Sequence, residues 1–180
     1  MLLESNITNG FYLEKLFRRK STFAFLDKIK KDDKIYNLHQ YLHGYCDIFV
    51  IKLLEFGKKN NLEYPICVLI DEDGIIHSFI WIEGNDYNYF IDVRGITSNA
   101  DYFFSEFQDY FDYKKYLKCG NSEDIIVLFF YNLDEYIKYL SNYLENGDDW
   151  YYNQSNILQE CENIIDKFKD YYLVPKEFIE

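Results

Sequence analysis

Between residues 46 and 56 polar side chains are the exception. Cys46, Phe49, Val50, Leu53 and Leu54 fall on one helical stripe, Ile48 and Ile51 widen it, and only Asp47, Lys52 and Glu55 interrupt. An apolar arc this wide predicts a central helix buried around most of its circumference, with Gly57 placed to end it. Upstream, residues 11–31 read as an amphipathic helix whose solvent side carries Arg18, Arg19, Lys20, Lys28, Lys30 and Lys31. Downstream the pattern predicts three short strands, Ile66–Asp71, Ile75–Ile82 and Tyr87–Val93. The turns between them are Asp71-Glu72-Asp73-Gly74 and Glu83-Gly84-Asn85-Asp86. Ser98-Asn99-Ala100-Asp101 supplies a helix start, and a Phe/Tyr-rich helix runs on to about Tyr110. Asp124–Phe130 is a further strand, followed by helices near 133–145 and 153–170, the second striped with Ile157, Cys161, Ile164, Ile165 and Phe168.

This element order is that of a single α+β domain. It divides into an N-terminal helical region (1–39), a core (40–107) and a strand plus acidic helical extension (108–180). At 180 residues, 48% of them hydrophobic, the chain can bury a core of its own. The 21% aromatic content accompanies abundant Ile, Lys and Asn, and reads as a coding bias before it reads as a stacking platform.

A net charge of −12 argues against binding nucleic acid. The charge is unevenly spread: residues 1–98 hold 12 basic and 14 acidic groups, residues 99–180 hold 7 and 17. The acidic C-terminal part suits a basic protein surface, or keeps a tyrosine-rich surface in solution. The N-terminus shows no basic n-region or apolar h-region. No run approaches the roughly 18 apolar residues of a membrane span. The expectation is a cytoplasmic protein away from membranes, in which Cys46, Cys67, Cys119 and Cys161 are thiols and not a disulfide framework.

Candidate chemistry centres on Cys46, at the first turn of the buried helix, and on His77 and Asp92 in the strands. If Ile82 pairs with Tyr87, His77 lies directly opposite Asp92, at hydrogen-bonding reach on one face. A thiol at a helix N-terminus, an imidazole to take its proton and a carboxylate to orient the imidazole are the parts of a cysteine nucleophile. Main-chain N–H groups at the helix start would hold an oxyanion, and Gly44 would permit close approach. The bland alternatives are a small core cysteine, a satisfied core histidine and a strand-end aspartate. The 67–80 hairpin is expected to turn Cys67 away from His77, Cys119 sits in a polar turn, and Cys161 belongs to a core stripe. A zinc site from His39, His43 and Cys46 lacks a fourth ligand of matching spacing, so no metal or other cofactor is expected. His43 and Tyr45 flank the proposed cleft.

The segments His43-Gly44-Tyr45-Cys46-Asp47-Ile48-Phe49, Gly74-Ile75-Ile76-His77-Ser78-Phe79-Ile80 and Tyr89-Phe90-Ile91-Asp92-Val93-Arg94-Gly95-Ile96 resemble the papain-like superfamily over residues 40–107. The cysteine–histidine–aspartate order is that of its transglutaminase-like and NlpC-like branches, nearest to a group of small bacterial and phage proteins. The resemblance implies a nucleophile helix packed on a small antiparallel sheet, with the C-terminal helices as additions. It implies cysteine-dependent hydrolysis of a peptide, isopeptide or side-chain amide bond by Cys46, His77 and Asp92, with Gln40 at the oxyanion hole. Deamidation and acyl transfer use the same three groups. A protein or peptide-like substrate follows from this reading. The competing expectation is an acidic inhibitor that occupies a macromolecular partner, or sequesters a small ligand, and whose triad is vestigial.

Overall fold

The computed structural model describes residues 38–84, 87–107, 126–143 and 154–174, the side chains of Leu38 and His39 excepted. The helix expected over 11–31, Cys119 and the 85–86 turn lie outside these residues. The chain enters through a short helix, α1 (Leu38–His43), and the buried helix, α2 (Cys46–Lys59). Strands β1 (Ile66–Ile70), β2 (Ile75–Glu83), β3 (Asn88–Asp92) and β4 (Gly95–Thr97) follow. Then come α3 (Ala100–Phe104), a 3₁₀ turn (Ser105–Phe107), β5 (Ile126–Phe130), α4 (Leu133–Tyr143), α5 (Ser155–Lys167) and a final 3₁₀ turn (Lys169–Tyr171). The class is α+β, as the pattern of elements implies: an antiparallel sheet ordered β4-β3-β2-β1-β5, flanked by helices.

Several local expectations hold, and others are corrected. Asn99 caps α3, its Oδ1 accepting from the Tyr102 amide at 3.0 Å. Gly57 does not end α2, which continues to Lys59. Gly57 is buried instead, and a Cβ there would stand 2.7 Å from Tyr64 Cγ, so the glycine lets the following loop close against the helix. The aromatic helix after Asn99 tightens to a 3₁₀ turn over Ser105–Phe107, and its expected end at Tyr110 lies outside the described residues. Strand β4 was not anticipated; it follows the Val93-Arg94 turn, where Gly95 takes a positive φ of 100° that only glycine adopts freely.

The β2–β3 register differs from the expected one by two residues. Ile82 pairs with Tyr89 and Glu83 with Asn88, so His77 and Asp92 are diagonal neighbours and not an opposed pair. Because side chains alternate with period two, an even shift keeps both on the same face. The β1–β2 hairpin carries a correction of the other parity. An irregularity between Leu69 and Ile70 sets Leu69 against His77 and Cys67 against Phe79. That odd offset turns Cys67 to the same face as His77, not the opposite one.

The two faces of the sheet bury different material. One carries Phe79, Trp81 and Phe90 against Phe103 and Phe104 of α3, with ring centroids 4.9–5.9 Å apart for the Phe79 and Phe90 contacts to α3. The other receives α2, whose Ile48, Phe49, Val50, Ile51, Leu53 and Leu54 are all buried. Each such side chain contributes about 1.5–3 kcal/mol by leaving water. Tyr136 of α4 ties this layer to the sheet: its hydroxyl donates to Ser78 Oγ at 3.1 Å and approaches the Asp47 carbonyl at 3.4 Å. Among the described residues no helix is long and apolar enough to cross a membrane.

Candidate functional site

Cys46 begins α2, as the stripe predicts, and is 7% exposed. It lines a cavity of about 520 Å³ together with His43, Gly44, Asp47, Asp71, Gly74 and Phe107, among others. The thiol is not an activated one at rest. Burial, then the adjacent Asp47 carboxylate, push it up to about 12, against main-chain hydrogen bonds from Ser78 and Asp47 that pull it down. A helix N-terminus lowers a thiol pKa and burial raises it; here desolvation is the larger effect.

His77 and Asp92 do come together. The ring Nε2 lies at hydrogen-bonding distance, 3.0 Å, from Asp92 Oδ2, with His77 fully buried and Asp92 2% exposed. The third member of the cluster is Arg94. Its guanidinium contacts both Asp92 oxygens at 2.7–3.1 Å, and its main-chain N–H donates to Oδ1 at 2.8 Å. Burial alone would raise the Asp92 carboxyl, but Arg94 and His77 hold it well below the usual carboxylate range. Burial likewise lowers His77, assisted by the Arg94 charge and opposed by Asp92. The imidazole is stacked on Phe107 at 4.3 Å and on Phe79 at 5.7 Å.

Nδ1 of His77 is buried and has no hydrogen-bond partner. Leaving a buried acceptor unpaired costs about 1–3 kcal/mol. Cys46 does not satisfy it: the sulfur meets the sheet at the main chain of Ser78, one residue along β2. Successive strand side chains face opposite ways. Ser78 turns toward α2 and Tyr136, whereas His77 turns toward Phe107 and the α3 layer. The structure thus joins two of the three expected residues by a hydrogen bond and sets the third beside β2, the strand of His77.

The flanking residues divide. His43 lines the cavity, its Nε2 3.2 Å from Glu106 Oε1. Gln40 and Tyr45 are not among its described lining residues; the Gln40 carbonyl closes the α1–α2 turn by accepting from the Gly44 and Tyr45 amides at 2.9 and 2.6 Å. Tyr45 is 37% exposed, with its ring 6.3 Å from Tyr41. Cys67 and Cys161 are fully buried core thiols, both raised by desolvation. Among the described residues no group of three or more His, Cys, Asp or Glu could hold a metal ion. On the acidic extension, Asp148 and Asp149 lie outside the described residues, and Glu162 is paired with Lys59 at 3.0 Å.

Sequence reasoning missed Arg94 and Phe107. Arg94 was detectable, because it follows Asp92 by two residues and a strand-end acid with a base at that spacing invites an ion pair. Phe107 was not, since only the tertiary fold brings it to His77. Comparisons with protein-family models, with curated proteins and with solved structures gave no match.

Proposed function

We propose that the protein is a papain-like cysteine hydrolase that attacks an amide carbonyl with the Cys46 sulfur. His77 serves as base and then acid, and Asp92 orients it. The observation that carries this reading is the state of His77: its Nε2 is committed to Asp92, while Nδ1 is buried without a partner. A buried imidazole serving only structure would ordinarily have both nitrogens satisfied. Cys46 stands at the head of a 14-residue helix and lines a cavity large enough for a peptide segment.

The resting state is a neutral thiol and a neutral imidazole, since burial raises the first and lowers the second. Substrate entry therefore precedes ionisation. The reaction requires a shift of the sulfur or the ring on substrate entry, because Cys46 and Nδ1 are not hydrogen-bonded at rest. As sulfur then attacks the carbonyl carbon, the thiol proton passes to Nδ1, and the imidazolium so formed is stabilised by Asp92. The Asp47 amide, already directed at the sulfur, lies beside the developing oxyanion. Nδ1 then gives its proton to the leaving amine, and water, deprotonated by the same nitrogen, cleaves the thioester.

The test is acylation by an activated ester at neutral pH, mapped by peptide mass spectrometry. Cys46 should be acylated ahead of Cys67 and Cys161, and His77→Gln should abolish that preference. Equal labelling of the three thiols, or labelling indifferent to His77, sinks the proposal. A second reading is favoured by the burial of Cys46 and His77: the polar cluster holds the core, and the protein acts by occupying a partner. Its mark would be cellular activity retained by Cys46→Ala.

A further inference from the structure

We propose that Arg94 is a positioning residue: it supplies the countercharge to Asp92, so that His77 stands as the neutral Nε2–H tautomer with the Nδ1 lone pair free. The catalytic consequence rests on the function proposed above, but the tautomer does not.

Asp92 accepts five hydrogen bonds, four from Arg94 and one from His77. An ionised carboxylate has no proton to give, so the 3.0 Å contact requires the hydrogen to sit on Nε2. The charge in this pocket is already balanced by one carboxylate and one guanidinium. A protonated His77 would add a second buried cation, which the low-dielectric interior penalises. The ring therefore carries a single proton, and Nδ1 is an acceptor. Among the described residues, His43 of α1 also bears on the ring and disfavours a positive charge there. Glu106 lies 3.2 Å from that His43, and Cys67 of β1 shares the sheet face. The rings packed against it, Phe79, Phe103 and Phe107, are uncharged.

The guanidinium is held where this requires it. Nη2 donates to the Phe103 carbonyl at 3.1 Å, and the charged carbon lies 4.7 Å from the Phe103 ring centre and 5.6 Å from that of Phe107. Phe107 is the ring on which His77 stacks, so one aromatic side chain braces both groups. Without Arg94, Asp92 would be a buried anion with no partner but the imidazole. His77 would then bind a second proton, on Nδ1, and that nitrogen could no longer take one from a thiol. Arg94 thus acts through Asp92 and His77 and need not touch the reacting atoms.

Long-range ¹H–¹⁵N correlation spectra of the imidazoles, recorded across pH on the whole chain, test this. In the wild type His77 should be neutral at pH 7, with its proton on Nε2. Arg94→Gln should raise its titration midpoint by about one pH unit or more, the size expected when one neighbouring charge is removed. Arg94→Lys, which keeps the charge, should hold the midpoint close to that of the wild type. An Nδ1–H tautomer or an imidazolium in the wild type at pH 7 overturns the proposal, and needs no variant that folds. So does a folded Arg94→Gln protein with an unchanged midpoint. Wild-type spectra as expected, together with no preferential acylation of Cys46, would remove the hydrolase reading and leave the role of Arg94 intact.

Discussion

Asp92 accepts a hydrogen bond from His77 across the β2–β3 seam at 3.0 Å, although the two are not paired positions: Asp92 lies one pleat further along than direct opposition would place it. The diagonal is spanned because the imidazole is long enough to reach, and because the Val93-Arg94 turn folds a guanidinium onto the same carboxylate. The seam is therefore closed by charge at one end and by aromatic packing along the rest.

Removing Asp92 should be costly. Asp92→Ala leaves the Arg94 charge buried and His77 without its acceptor, and breaking a buried ion pair by deleting one partner costs about 3–5 kcal/mol. Urea unfolding at pH 7 measures this. A loss under about 1 kcal/mol would mean that water or a rearranged Arg94 replaces the carboxylate.

Acidification should weaken the fold in two windows. His77 has a folded pKa below its ordinary 6.5, so its contribution is complete above that value and is lost as pH falls. Asp92 is also lowered, so its contribution is complete above 3.8 and is lost on further acidification. Asp47, raised to about 6 by burial, has the opposite sign: it favours the fold at low pH and loses that effect as pH rises from 3.8 through 6. Denaturation midpoints between pH 4 and 7 should accordingly fall less steeply with acid in His77→Gln and more steeply in Asp47→Asn. Parallel curves for all three proteins would refute the assignment.

Alkylation of Cys46 by iodoacetamide should be slow at neutral pH without substrate. With the thiol pushed up to about 12, the thiolate fraction, and so the rate, should climb about tenfold per pH unit from 7 to 9. A plateau below pH 8 would reveal an activated thiolate instead.

Gly57→Ala should destabilise in spite of the helix propensity gained, about 1 kcal/mol. The added methyl meets the Tyr64 ring at 2.7 Å, and overpacking costs about 1–3 kcal/mol. Thermal unfolding of Gly57→Ala in the wild-type and in a Tyr64→Ala background isolates the clash, because Tyr64→Ala removes the Cγ and Cδ2 atoms at 2.7 and 2.9 Å: the added methyl should cost stability only beside Tyr64.

The buried helix, the three main strands, the Asn99 cap and the pairing of His77 with Asp92 were legible along the chain. Each depends on short-range periodicity or on face parity, which an even register error does not disturb. Two things were not legible. The Leu69–Ile70 irregularity inverts the parity of the β1–β2 hairpin and with it the side to which Cys67 points. The exposure of Cys46 depends on how closely α2 sits on β2, a matter of packing.

The order of apolar and polar residues by itself determined that α2 would be central, that the strands would be antiparallel and that an acid and an imidazole would share one face, because helix and strand periods are local properties of the backbone. Only the tertiary structure decided that Arg94 would neutralise Asp92, that Phe107 would cover His77 and that the Cys46 thiol would be desolvated. Those outcomes turn on distances between segments tens of residues apart, and charge and solvent act through distance, not through position in the chain.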